Sequence, residues 1–171
     1  MPNVILCDEK GNPIGETSVE DAHSGSGKRH LAFVIVIEKA GKVLVQRRAK
    51  NKRFPGYWEF PASHIFVGET WENALKRTLK KELGIDGVEK FERLFHFIYS
   101  AKGERETDVE NEYCVVFKCV YNGEIKMNTE EADQIKFVRL EDLEMELKGE
   151  KISAWLKIPV EIMLKGTKNA S

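Results

Sequence analysis

The sequence predicts an α+β fold in which strands dominate and helices are inserted between them or appended at the end. Three observations carry that reading. Short runs rich in Val, Ile, Phe and Tyr recur along the chain, bounded by Gly, Pro and polar turn residues. One segment, from about Thr70 to Leu83, has the apolar spacing and the end residues of a helix. No internal repeat, low-complexity tract or apolar run of the roughly 18 residues a membrane span needs interrupts the pattern. The 171 residues suit one domain, spanning 1–171, with a core of useful size.

The elements follow in order. Val4 to Cys7 is a short apolar run ending at DEKGNPIG, which reads as a strand, a turn and a return strand. The glycines and serines from His23 to His30 mark a flexible loop. HLAFVIVIE (30–38) and KVLVQRR (42–48) are β-prone, and KAG between them predicts a hairpin. AKNKRFPGYW is a basic loop with a Pro-Gly turn. In the helix that follows, Thr70 suits the N-cap, Glu72 the first turn and Gly84 the C-terminal stop. LFHFIYS, ENEYCVVFKCVY and IKFVRL read as three further strands, and acidic EDLEMEL as a short helix. A last helix is expected from near Ile152, carrying Trp155, with Pro159 expected to start, break or kink it.

The totals exclude some classes. With 27 basic and 28 acidic residues the net charge is -1, so no single-sign field is available to draw in nucleic acid or a membrane surface. The three cysteines, Cys7, Cys114 and Cys119, have no CxxC spacing and read as buried thiols of a reducing compartment. MPNVILCDEK has no basic region followed by a long apolar core, so the expected location is the cytoplasm.

Several polar residues fall where apolar ones belong. At about 100° per residue, Glu82 shares a helix face with Trp71, Leu75 and Leu79. Glu110 and Glu112 share a strand face with Cys114 and Val116. A buried carboxylate is costly unless paired or bound to a cation, and two side by side raise each other's proton affinity. A solvated helix edge and a solvated strand end are the plain alternatives. Of the four histidines, His23 and His30 bracket the flexible loop and His64 follows a Pro-Ala-Ser turn, while His96 lies inside a strand. Imidazoles and carboxylates together suit a divalent transition metal, but periodicity alone does not assemble these into one site.

A resemblance does assemble them. PASHIFVGETWENALKRTLKKELGI resembles a Nudix box, with Glu69, Arg77, Glu82 and Gly84 at matching positions and WEFP just before it. Ser63, Thr78 and Lys81 stand where that pattern has Gly, Glu and Glu. Along most of its length the chain is similar to one Nudix branch, the type I isopentenyl diphosphate isomerases. The matching segments are CDEKGNPIG, DAH with HLAF six residues on, LVQRRAKNKRFPGYW, SH at 63–64 and VENEYCVVF. The resemblance implies a Nudix fold, a mixed sheet flanked by helices. It implies one divalent metal on His23, His30, His64, Glu110 and Glu112, and a second, Mg-type site near Glu82. It places Tyr99 and Trp155 in the active site and Arg48 and Lys52 on a diphosphate. Glu112, Tyr99 and Glu82 are the implied catalytic residues.

The departures bear on activity. Ala62 holds the place of that branch's catalytic cysteine, Val19 that of a diphosphate-binding lysine, and Thr78 that of an arginine on the Nudix helix. Allylic isomerisation moves two protons and needs a carrier for each, and a methyl group carries none. The expected function is therefore metal-dependent hydrolysis of a small diphosphate-containing molecule, using Mg²⁺ or Mn²⁺, with Zn²⁺ an option at the His/Glu site. Isopentenyl diphosphate isomerisation and a non-catalytic metal- or ligand-binding protein stay open beside it. No nucleic acid or membrane partner is expected, and the sequence leaves the oligomeric state open.

Overall fold

Ala40 and Gly41 adopt φ of 51° and 77°, the paired left-handed geometry whose twist suits a two-residue hairpin turn. They join β3 (His30–Lys39) to β4 (Lys42–Arg48), as the sequence predicts. The hairpin pairs only at Glu38↔Val43 and Lys39↔Lys42. Beyond that the strands part. β3 takes β8 (Val109–Val120) in parallel on one edge and β6 (Ala62–His64) antiparallel on the other. β4 instead pairs with β5 (Trp58–Glu59) and β9 (Ala132–Val138), both antiparallel. β7 (Glu92–Lys102) lies antiparallel outside β8, and β1 (Val4–Cys7) with its return β2 (Pro13–Thr17) closes the opposite side. The computed structural model describes residues 2–170, with side chains up to residue 166.

Alternation along β3 builds a layer on each face of the sheet. Leu31, Phe33, Ile35 and Ile37 pack with Leu75, Leu79 and Leu83 of α2 (Trp71–Leu83). Val34 and Val36, with Cys114 and Val116 of β8, pack with Trp155, Leu156 and Val160 of α4 (Ala154–Ala170). Helix, mixed sheet and helix are thus stacked in the α+β arrangement expected. The ends of α2 are also as expected. Thr70 Oγ1 accepts from Asn73 N at 3.1 Å, and Gly84 takes φ 63° and donates its N–H back to the Lys80 carbonyl. An N-cap of this kind contributes ~1 kcal/mol. The three cysteines are buried and free, and no helix among the described residues is long and apolar enough to cross a membrane.

Three features depart from the sequence reading. Val19–Ala22 forms a one-turn helix, α1, capped by Ser18, directly before the His23–His30 loop. β5 and β6 lie in what reads as loop around the Pro-Gly turn. Pro159 neither starts nor breaks the last helix. α4 begins at Ala154 and continues past it, while Leu143–Glu146 forms the expected short helix α3 after a turn of 3-10 helix. Proline forfeits one hydrogen bond and crowds the preceding turn, at ~3 kcal/mol. Burial of Trp155, Leu156 and Val160 on the sheet offsets this, at ~1.5–3 kcal/mol for each large apolar side chain.

Candidate metal centre and active site

The cavity opens where β3 and β4 part. Its volume is about 270 Å³, and its walls include Val19, Ala62, Ser63, Phe66, Thr78, Tyr99 and Trp155. Register explains the cluster at one end. His30 lies opposite Glu112 across the parallel β3–β8 pair, Ala32 opposite His64 across β3–β6, and Tyr99 opposite Glu112 across β7–β8. His23 caps the C-terminal end of α1, so that helix delivers the third imidazole.

The three rings form a propeller, with centroids 4.8 to 5.1 Å apart and planes 61–62° to one another. His23 Nδ1 lies 2.6 Å from the Val19 carbonyl and His30 Nδ1 2.8 Å from the Lys28 carbonyl. A carbonyl only accepts, so each Nδ1 carries the hydrogen and each Nε2 of the neutral ring points a lone pair inward. His30 Nε2 is 3.1 Å from His64 Nδ1 and 3.3 Å from Glu112 Oε2. His23 Nε2 touches Glu110 Oε1, yet these two buried atoms form no hydrogen bond with each other or with anything else described. Acceptors turned on acceptors in a buried space need a cation or a proton between them. The ligand atoms of His23, His30 and His64, and those of His30, Glu110 and Glu112, each lie within 4.8 Å of one another. This donor set fits a divalent transition metal.

Protonation follows the same logic. Burial works against a charge on His30, but the hydrogen bond and charge of Glu112 outweigh it and raise its pKa. Burial, reinforced by His30, holds His64 well below the usual histidine range, in the neutral form a metal requires. Burial and the Glu112 charge push the Tyr99 phenol well up, so it keeps its proton and donates it to Glu112 Oε1.

Glu82 is buried, as its place among leucines predicts, and it reaches a second group of charges. Gln46 Nε2 donates to Glu59 Oε2 at 2.9 Å and to Glu82 Oε1 at 2.8 Å. Arg48 and Trp155 Nε1 both donate to Glu59 Oε1, at 2.7 and 2.8 Å. Burial, then the Glu59 charge, raises the Glu82 pKa to about 8. Lys52 pairs with Glu131 at 2.7 Å. Arg48, Lys52 and Trp155 therefore line the cavity as expected, but both cations already hold carboxylates. Glu59, Gln46, Glu131 and Arg53 also belong to this site, and the sequence reading did not single them out. Only WEFP carried a signal, for Glu59. His96 stacks on Tyr113 instead, outside the cavity.

The basic loop itself is held from behind. Phe54 has φ 53°, and its N–H donates to Asp108 Oδ1 at 2.8 Å. Its ring meets Trp155 edge-on at 5.1 Å.

A mixed sheet between helices, with Arg77 and Glu82 on the helix over the cavity and Glu69 just before its N-cap, is the arrangement of a Nudix-type enzyme. The chain belongs to the NUDIX domain family, whose pattern matches residues 28–156. It is 40% identical over 120 residues to the isopentenyl-diphosphate Delta-isomerase of Brevibacterium linens, covering 68% of this chain and 65% of that protein. The isomerase of Salmonella arizonae is 32% identical over 98% of this chain and 92% of its own. Among solved structures, DR0079 of Deinococcus radiodurans superposes with a TM-score of 0.74 at 18% identity, over 93% of this chain and 97% of its own. The NUDIX domain of Shewanella oneidensis NrtR, solved with ADP ribose, superposes at 0.60 with 17% identity, over 80% of this chain and 87% of its own. The family resemblance read from the sequence is therefore correct, and the relatives are enzymes.

Proposed function

We propose that this chain hydrolyses a compact diphosphate-containing metabolite with the help of a divalent metal. The observation that carries this reading is the one-sidedness of the proton carriers. Glu112 and Tyr99 stand on β8 and β7, whereas Ala62, on β6 across β3, presents a methyl group to the same cavity. Water attack at phosphorus needs one proton acceptor, whereas allylic rearrangement needs a proton delivered and another removed.

His23, His30, His64, Glu110 and Glu112 would hold a divalent cation, which would supply positive charge for a phosphate and lower the proton affinity of a water. Tyr99 holds Glu112 through its hydroxyl. Glu82, buried beside Glu59, would orient the attacking water or hold a second, Mg-type cation. Arg48 and Lys52 bind phosphate, and Trp155 walls the organic group. The cavity, about 270 Å³, sits below the usual ~300–1,000 Å³ of drug-sized sites, which favours a short-chain diphosphate over a dinucleotide.

A second reading, isopentenyl diphosphate isomerisation, draws support from the names of the relatives and from the complete His/Glu set. One experiment separates the two. The protein is incubated in D₂O with isopentenyl diphosphate and Mg²⁺ or Mn²⁺ and followed by phosphorus and proton NMR. Hydrolysis predicts released phosphate, lost in Glu82→Gln and Glu112→Gln. Deuterium entering the carbon chain without phosphate release sinks the hydrolase reading.

A further inference from the structure

Five cationic side chains line the cavity: Arg48, Lys52, Arg53, Arg77 and Lys81. Three carboxylates are committed to them. Glu59 faces Arg48 and Glu69 faces Arg77, each at 2.7 Å. Glu131 faces Lys52 at 2.7 Å through one oxygen and Lys81 at 3.4 Å through the other. The two lysines thus share a single negative charge. Among the described residues, the Arg53 side chain makes no hydrogen bond and no ion pair. Of the five cations, Arg53 is thus without a contacting carboxylate, and Lys52 and Lys81 have one between them.

Glu110 and Glu112 face the imidazoles, and Glu82 accepts from Gln46. Arg53 is attracted by Glu110 and Glu112 from beyond contact and repelled by Arg48. A half-buried guanidinium, short of its full hydration and without an anion, is a forked donor set free for phosphate oxygens. Glu131 is the carboxylate that two cations share, and both would gain from a more highly charged anion.

We propose that Arg53, Lys52 and Lys81 form the clamp for the diphosphate group, and that Glu131 is its placeholder, released when the diphosphate arrives. Before binding, Glu131 keeps the two lysines from repelling each other. On binding, the multiply charged group takes both lysines and Arg53, and the Glu131 carboxylate turns to solvent. The proposal rests on the reading that this cavity takes a diphosphate.

The test uses the full chain and inorganic pyrophosphate, by titration calorimetry, with Mg²⁺ and separately with chelator. The unmodified protein binds pyrophosphate. Arg53→Gln and Lys81→Gln each weaken binding about tenfold or more, the loss of one charge-assisted contact. Glu131→Gln tightens it, because the competing carboxylate is gone, whereas a purely structural Glu131 would give weaker binding. Lys81 is exposed at the end of α2, so its variant keeps the test open even if Arg53→Gln does not fold. Wild-type affinity in Lys81→Gln, or weaker binding in Glu131→Gln, overturns the clamp while the diphosphate reading stands. No pyrophosphate binding by the unmodified protein in either buffer overturns both.

Discussion

A methyl group at position 62 gives this point of the cavity wall no proton to carry. Ala62 pairs with Val34 and lines the cavity beside His64. A thiol there would supply the proton carrier that is missing across β3 from Glu112, and such a group contributes ~10²–10⁴ in rate. Ala62→Cys is therefore expected to give measurable exchange of solvent deuterium into isopentenyl diphosphate, with little or none in the unmodified protein. Strong exchange by the unmodified protein would show that the missing thiol matters little. At this scale the sequence is legible where a charge breaks a period. Glu82 among leucines, and Glu110 and Glu112 leading into Cys114 and Val116, are buried, which removes the solvated alternatives their spacing left open. Arg53, Glu59 and Glu131 sit in loops or a two-residue strand, where no period exists to break. Their meaning comes from partners far away along the chain, as Lys52 with Glu131 and Trp155 with Glu59 illustrate.

The segment from β6 into α2 shows how an element holds a candidate metal ligand. Arg77, two turns into α2, donates through Nη2 to the His64 carbonyl at 2.9 Å and through Nε to Glu69 at 2.7 Å, with its guanidinium 4.6 Å from the centre of the Phe66 ring. Glu69 also accepts from Phe66 N at 2.9 Å, which closes the loop between His64 and the helix. Burial works to raise the Glu69 pKa, but Arg77 and the Phe66 N–H outweigh it and the carboxyl lies below its ordinary value. A depressed carboxylate pKa contributes stability that is present above the unfolded-state value, near ~4.3, and is lost as pH falls through the folded one. The urea midpoint is therefore expected to fall between pH 6 and pH 3 by less in Glu69→Gln than in the unmodified protein. Parallel profiles would remove Glu69 from this role. Elements with strong periodicity or strong ends were legible, notably α2 with its two caps and the β3–β4 hairpin. α1 was not, because one turn is too short to show a period, and β5 and β6 exist through pairing with distant strands. Pro159 misled because sequence rules price its missing hydrogen bond without the burial that surrounds it.

Across the whole molecule, the imidazoles and carboxylates arrive from separate places: His23 from the end of α1, His30 from β3, His64 from β6, and Glu110 and Glu112 from β8. Among the described residues Glu110 Oε1 and His23 Nε2 lack a hydrogen-bond partner, so a cation or a proton held between them would stabilise the fold. A ligand that binds only the folded chain stabilises it by ~2.7 kcal/mol at a hundredfold excess over its dissociation constant. For a chain of this length, each kcal/mol moves the melting temperature by ~2–4 °C. Addition of Mn²⁺ or Zn²⁺ to chelator-treated protein is therefore expected to raise the melting temperature by roughly 5–10 °C. His64→Ala should behave differently in two ways. It removes one ligand, so most of the metal-induced shift should vanish. It also removes the hydrogen bond between His64 Nδ1 and His30 Nε2, at 3.1 Å, so the metal-free variant should itself be less stable than the unmodified protein. Calorimetric scans with and without metal read both effects. An equal metal shift in the two proteins would mean that the ion binds elsewhere. No shift in either, at millimolar metal, would mean that the cluster is satisfied by protons alone, and the hydrolytic reading would then lose the charge it needs beside the phosphate.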